Sequence, residues 1–285
     1  MRIAVIGLGE VGRPIYEIAL ERRIEVYGYD IDINKTVNKL DEIPKNLDAL
    51  HIAFPCKDRE NFAKIVLSYI NRFKPKIAII HSTVAPGTTR LIQENASETI
   101  VAYSPVRGKH PYIKQHLMLW PKWIALTDER YVDEVRKHLE QLGFKVKVAS
   151  NPESLELAKI WETVYRAAMI AVWHEIHRTA LKFNASITDI AEFISEVHRV
   201  LGDRPILYPG FIGGHCLIPN TILLKKYYDS ALLDFILESN HKRIHELENE
   251  RVKEDVRKVK EIWRKNTPVW YFKGLAPEKR NRFLS

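Results

Sequence analysis

The sequence predicts an α/β chain in which a doubly wound parallel sheet is followed by an all-helical second domain. Three observations predict it. Short branched runs alternate with helically spaced segments through the first half, a glycine-rich turn follows the first run, and from Asn151 the pattern changes to long helical periods.

The strand-like runs come first. Ile3-Ala4-Val5-Ile6, Glu25-Val26-Tyr27-Gly28-Tyr29, Ala49 to Phe54, Ile77-Ala78-Ile79-Ile80, Thr99 to Tyr103, Trp123-Ile124-Ala125-Leu126 and Lys145-Val146-Lys147-Val148 are short and bounded by turn residues. Segments 60–73 and 128–142 carry apolar residues at helical spacing and suit crossover helices between parallel strands. Residues 1–150 therefore read as one sheet domain. Asn-Pro-Glu-Ser at 151–154 offers a helix cap, and residues 155–183 follow without glycine or proline as one long helix. A second helix is expected at 187–197, and helices resume after Pro219. Residues 151–240 read as a helical dimerisation and substrate domain, and 241–285 as a basic helical tail.

Gly7-Leu8-Gly9-Glu10-Val11-Gly12 fits G-x-G-x-x-G, follows the first strand and opens a helix, and Asp30 closes the second strand. In that context Gly7 permits the tight turn, Gly9 lets the backbone approach a pyrophosphate, and Gly12 lets the helix pack closely on the strand. The free N–H groups of the helix face the phosphates. This is a Rossmann dinucleotide site. Asp30 would accept hydrogen bonds from ribose hydroxyls, and Asp30 and Asp32 without an adjacent arginine favour NAD over NADP. The cofactor-contacting positions are read as Gly7, Gly9, Glu10, Val11, Gly12, Asp30, Ile31, Lys35, Phe54, Pro55, Ser82 and Thr83.

With 46% hydrophobic and 28% charged residues the composition is that of a globular chain, and no apolar run is long enough to suggest a membrane span. A cytoplasmic protein is expected. Cys56 and Cys216 lie far apart without metal-ligand spacing, so neither a disulfide framework nor a metal site is signalled. The net charge is +8, of which +6 falls in residues 241–285. There Val252, Val256, Val259 and Ile262 lie at helical spacing among charges of both signs, which indicates an amphipathic helix on its own domain or a partner chain rather than a nucleic-acid arm.

These residues and several others resemble the nucleotide-sugar 6-dehydrogenases, the UDP-glucose/GDP-mannose dehydrogenase family, over about residues 1–245. The carriers are Tyr29-Asp30-Ile31-Asp32 with Lys35, Ser82 to Thr89, Tyr103-Ser104-Pro105, Glu156-x-x-Lys159 leading into Tyr165-Arg166-Ala167, and Gly213-Gly214-His215-Cys216. The resemblance implies oxidation of a sugar alcohol to a carboxylate with NAD, through a thiohemiacetal and thioester on the cysteine. By residue type alone a free cysteine is most often buried; the resemblance makes Cys216 a nucleophile. It likewise implies that Lys159 stabilises an oxyanion and a thiolate, that Thr83 helps hold a water, and that the family dimerises through its central helices, so a homodimer on helix 155–183 is expected. Relatives continue into a third domain that holds the nucleotide, and residues 242–285 cannot build such a sheet.

The departures point the other way. Val106 stands where the family has a glutamate used in thioester hydrolysis, Thr163 where it has asparagine, and Asn220 where it has aspartate. Valine cannot accept a proton or orient water, and asparagine cannot act as a base, which argues against the full four-electron reaction. His215 is the candidate replacement. The loop Ser104 to Pro111 brings Arg107, Lys109 and His110 together after a strand, which suggests recognition of an anionic small molecule. The substrate-contacting set is read as Ser104, Arg107, Lys109, His110, Thr163, Arg199 and Asn220, and the catalytic set as Cys216, Lys159, Thr83 and His215. The function expected is an NAD-dependent oxidation of an alcohol on an anionic, sugar-like substrate. The alternatives are a non-catalytic NAD-binding or regulatory relative, and a single-hydride dehydrogenase of the 3-hydroxyacid or 6-phosphogluconate type.

Overall fold

Branched residues that pack well on a pleated surface build a strand at each of the seven expected runs. In the computed structural model these are β1 (Arg2–Ile6), β2 (Glu25–Tyr29), β3 (Ala49–Ile52), β4 (Ile77–Ile80), β5 (Ile100–Tyr103), β6 (Lys122–Leu126) and β7 (Val146–Val148). The structure describes residues 1–268, and the end of the expected basic tail lies outside them. These residues fall into two compact units, Met1–Lys159 and the chain from Ile160 onward.

The strands of the first unit form one sheet in the order β2-β1-β3-β4-β5-β6-β7. β1 to β5 are parallel, with Val5 opposite Gly28 on one side and His51 on the other. The sheet is mostly parallel, as expected, with one exception: β6 runs antiparallel to β5 and pairs Ala125 with Tyr103. The reason is the connection: a loop and a seven-residue helix, α4 (Ile113–Leu119), return the chain to the edge at which β5 ended, so β6 starts there and runs back.

Alternation along the strands sends odd and even residues to opposite faces. Ile3, Val5, Ile77 and Ile79 pack with Ile15 and Ile18 of α1 (Gly12–Glu21) and with Val135 and Leu139 of α5 (Val132–Gln141). Ala4, Ile6, Leu50, Ile52 and Ile80 pack with Phe62, Val66 and Ile70 of α2 (Arg59–Phe73) and Ile92 of α3 (Thr88–Glu94). Both faces are covered, as a parallel sheet requires.

The long helix α6 (Pro152–Lys182) opens on Asn151, whose side chain accepts from Ser154 N at 2.8 Å, with proline at the first helical position. Its first turn ties it to the sheet unit. The buried Glu156 carboxylate accepts from Gly87 N (2.6 Å), Thr89 N (2.8 Å) and Thr89 Oγ1 (2.7 Å), all at the N-terminus of α3. A carboxylate from another helix thus satisfies first-turn amides of α3. Burial nonetheless holds its pKa above the ordinary value.

In the second unit, α7 (Ile187–Leu201), α8 (Leu217–Lys225), α9 (Ala231–Glu246) and α10 (Glu250–Lys265) accompany the rest of α6. α7 runs four residues past its expected end and stops on Gly202 in the left-handed region. α8 begins before Pro219 rather than after it, because proline is tolerated in a first turn, where no N–H is needed. The core gathers Trp173, Ile187, Ala191, Ile206, Val259 and Ile262, so the amphipathic basic helix α10 packs on its own unit.

Replacing Glu156 by alanine leaves two helix amides and a hydroxyl without their acceptor, and is expected to lower stability by roughly 2–4 kcal/mol. Denaturant unfolding followed by tryptophan fluorescence measures it, with Glu156→Gln showing a smaller loss; an unchanged midpoint in Glu156→Ala overturns the assignment.

Candidate dinucleotide site and cysteine turn

The glycine turn is built as a close approach of backbone. Gly7 has φ of 91°, its N–H donates to Tyr29 O at 2.8 Å, and a Cβ there would stand 2.8 Å from Phe54 N. A Cβ on Gly12 would lie 1.8 Å from Gly7 O, so only glycine lets α1 start on this turn. Gly9 differs: a Cβ there would meet nothing within 4 Å, so the side on which a phosphate approaches is open. Val11 caps α1 and packs partly into the sheet core, and Glu10 is exposed.

Asp30 closes the turn. Its carboxylate accepts from Leu8 N at 2.6 Å and from Asp32 N at 2.8 Å, which leaves lone pairs for a ribose hydroxyl. Ile31 is 89% exposed, and Lys35 pairs with Asp32 at 3.0 Å. Phe54 is half-buried and packs on Phe62 with ring centroids 5.0 Å apart; Pro55 is exposed. One contributor was missed: Arg13, in the first turn of α1, donates to Lys35 O at 2.5 Å and brings a guanidinium beside the Asp30 to Lys35 loop. Arg13 precedes the acidic pair in sequence, so the residues after Asp30 and Asp32 give no sign of it. A glycine turn open at Gly9, a helix N-terminus and a carboxylate at the second strand are a donor set that fits a dinucleotide.

The segments at the ends of β4 and β5 are held by polar side chains. Ser82 Oγ donates to Phe54 O at 2.6 Å, and Thr83 is half-buried. Ser104 is fully buried rather than presented to a ligand; its carbonyl accepts from Lys122 Nζ at 2.5 Å and its Oγ has no hydrogen-bond partner. Val106 packs into the apolar core. Arg107 donates to Pro121 O at 2.7 Å and lies 5.1 Å from the Trp120 ring centroid, so part of its fork is already engaged. Lys109 and His110 are exposed, with His110 Nδ1 3.8 Å from Glu10. Lys159 is half-buried, one turn after Glu156 on the same side of α6.

In the second unit, the turn that leads to Cys216 is fixed from behind. His174 Nε2 meets Gly210 O at 2.8 Å, and the Asn240 amide accepts from Ile212 N (2.7 Å) and donates to Ile212 O (3.2 Å). The turn walls a cleft of about 190 Å³ with Arg166, Ile170, Tyr208, Phe211 and Leu217, and Arg166 adds a guanidinium that its place in a helical run does not signal. His215 and Cys216 are exposed, and Cys216 is the residue from which α8 starts, where first-turn amides favour negative charge. Cys56 contrasts with it, since burial pushes that thiol up to about 11. Thr163 and Asn220 are buried and meet each other: Asn220 Nδ2 donates to Thr163 Oγ1 at 2.9 Å, and Thr163 Oγ1 donates to Ile160 O at 2.8 Å. Arg199 is exposed in the last turn of α7. Among the described residues no helix is long and apolar enough to cross a membrane, and no group of three or more His, Cys, Asp or Glu is arranged to hold a metal ion.

A sheet with a glycine turn at its topological switch is followed in the chain by a helical unit. Residues 153–244 match the UDP-glucose/GDP-mannose dehydrogenase family, central domain. The chain is 26% identical to UDP-N-acetyl-D-mannosamine dehydrogenase of Methanocaldococcus jannaschii, over 84% of this chain and 65% of that one. The enzyme of the same name from Pyrococcus horikoshii is 26% identical over 86% and 68%. The chain thus spans about two thirds of the length of these curated relatives. The solved structure of UDP-D-ManNAc dehydrogenase from Pyrococcus horikoshii superposes with a TM-score of 0.73 at 20% identity, covering 85% of this chain and 69% of that one. Mycobacterium tuberculosis 3-hydroxyisobutyrate dehydrogenase superposes with 0.64 at 17%, covering 85% and 94%.

Valine at position 9 puts a side chain where the protein itself has no atoms but a pyrophosphate would approach. Gly9→Val is expected to keep the wild-type melting temperature and to weaken NAD binding by about tenfold or more, read by titration calorimetry. Undiminished affinity rejects this turn as the dinucleotide site.

Proposed function

We propose that this chain is an NAD-dependent dehydrogenase that oxidises an alcohol on an anionic, sugar-like small molecule. The observation that carries the reading is the glycine turn, open at Gly9 and closed by Asp30, at the switch point of the sheet. NAD, when bound, supplies the hydride acceptor. The turn and the α1 N-terminus hold its phosphates, and Asp30 its ribose. Lys159 offers an ammonium to oxygen that gains negative charge as the alcohol loses its proton. Arg107 and Lys109 supply cations, and His110 a ring nitrogen, for an anionic group of the substrate.

Cys216 is assigned as the nucleophile that adds to the aldehyde, its sulfur forming a C–S bond while the carbonyl oxygen takes up the negative charge. Its exposure at the start of α8 supports that role. Hydrolysis of a thioester is less well provided for, because Val106 is in the core and Asn220 is bound to Thr163. That pairing favours a second reading, in which one hydride is removed and the carbonyl product leaves. We further propose that two copies pair along α6, where Tyr165 and Val172, two turns apart, are 62% and 50% exposed.

A panel of sugar phosphates, nucleotide sugars and hydroxyacids, assayed for NADH, tests the activity. Formation that is lost in both Cys216→Ser and Lys159→Ala, with two NADH per substrate, supports covalent chemistry; one NADH per substrate with Cys216→Ser still active supports the single-hydride reading. No turnover with any member rejects both. For the pairing, Tyr165→Glu with Val172→Glu is expected to convert a dimer into a monomer in sedimentation, and a wild-type chain that sediments as a monomer overturns it.

A further inference from the structure

Four nitrogen bases stand in a row inside the sheet unit, and the dehydrogenase reading uses none of them. Lys122 opens β6, His81 follows β4, His51 lies within β3, and His138 is in the last turn of α5; their exposures are 3%, 2%, 0% and 5%. Lys122 Nζ is 3.1 Å from His81 Nδ1, His81 Nε2 is 2.9 Å from His51 Nδ1, and His51 Nε2 is 3.0 Å from His138 Nε2. Lys122 Nζ also meets the carbonyls of Ser104 (2.5 Å) and Pro105 (3.0 Å), and His81 Nδ1 meets Ser104 O at 2.8 Å.

This row can be hydrogen-bonded from Lys122 to His138 in two ways that differ by one proton, and the contact of His81 Nδ1 with Ser104 O is a hydrogen bond only in the second. With Lys122 as an ammonium, its three N–H groups serve the two carbonyls and His81 Nδ1. His81 Nε2–H then donates to His51 Nδ1, His51 Nε2–H donates to His138 Nε2, and His138 carries its proton on Nδ1. With Lys122 as an amine every arrow reverses. His81 keeps a proton on Nδ1, His51 donates from Nδ1 to His81 Nε2, and His138 donates from Nε2 to His51 Nε2. Going from the first state to the second, each ring passes one proton along and one leaves from His138 Nδ1.

Lys122 stands at one end of the row and His138 at the other. Lys122 is beside the Ser104 to Arg107 segment, where the strands end and the dinucleotide turn also lies. His138 is within electrostatic reach of Asp48, which precedes β3 and pairs with Lys76 at 3.4 Å. The charged groups that act on the row are Arg107 and Lys159 at Lys122, and Asp48 at His138. We propose that Lys122, His81, His51 and His138 form a proton relay through the sheet, taking up a proton on the amine of Lys122 and releasing one from His138 on the Asp48 side.

Its use rests on the dehydrogenase reading. When an alcohol is oxidised the C–H electrons leave as hydride and the hydroxyl proton leaves separately, and the relay passes that proton to water. Burial lowers the affinity of Lys122 and of all three rings for a proton, which holds His138 at about 4 and keeps charge from resting on any of them.

The test needs neither NAD nor substrate. In protein labelled with ¹⁵N-histidine and ¹³C-lysine, the tautomers of His81, His51 and His138 are expected to exchange together, at the pH at which Lys122 titrates. In His51→Gln, His138 should no longer follow Lys122, and in Lys122→Met the joint step should vanish, so that either variant decides if the other fails to fold. Fixed tautomers through the Lys122 titration overturn the relay. With a substrate from the panel, His51→Gln is expected to lower kcat by about tenfold or more with KM unchanged and a larger solvent isotope effect. An unchanged kcat and isotope effect overturn its use in oxidation while the tautomer data stand, and a wild-type chain that makes no NADH rejects the dehydrogenase reading and that use with it.

Discussion

The buried carboxylate of Glu156 is the contact on which the arrangement of the sheet unit depends. It accepts from two amides and a hydroxyl at the N-terminus of α3, so one side chain both satisfies helix-end donors and fixes where α6 begins. Lys159 follows one turn later, and its position at the sheet edge is inherited from that anchor. The glutamate and the Pro-Gly-Thr-Thr turn are 67 positions apart in sequence and form one structural device. A carboxylate with fewer donors would not remain ionised at this depth.

The residues in which the chain departs from the pattern it resembles are not isolated losses. Thr163 and Asn220 satisfy each other, and Val106 fills apolar space, so each change is accommodated by its surroundings. Such a pair lacks a proton-accepting carboxylate but leaves no buried group unpaired.

Both units bury basic side chains, and their neighbours explain how. In the second, Arg243 donates to His177 Nδ1 and to His174 O, and His177 meets Asp255 on α10 at 3.1 Å, so a polar network joins α6, α9 and α10 beneath the turn that carries Cys216. In the first, neutral imidazoles serve one another as donor and acceptor. Neutrality is what makes this tolerable, since an ion at the same depth would lack a counter-charge.

Much of this was legible in the amino-acid sequence. The seven strands, the long helix and the glycine turn follow from local periodicity and from backbone sterics at Gly7 and Gly12, which neighbours a few residues away impose. The reversal of β6 was not legible, because strand direction depends on how a connection crosses the sheet and not on the strand's own residues. Nor were the pairing of Thr163 with Asn220, the engagement of Arg107 by Pro121 and Trp120, or the burial of Ser104. Each of those is a contact between residues distant in the chain, and partner choice, unlike propensity, is made only when the elements pack. The sequence by itself determined which elements form and where the glycine turn lies; tertiary structure alone decided which polar groups are already satisfied and which remain open to a ligand, because that depends on neighbours brought together by folding.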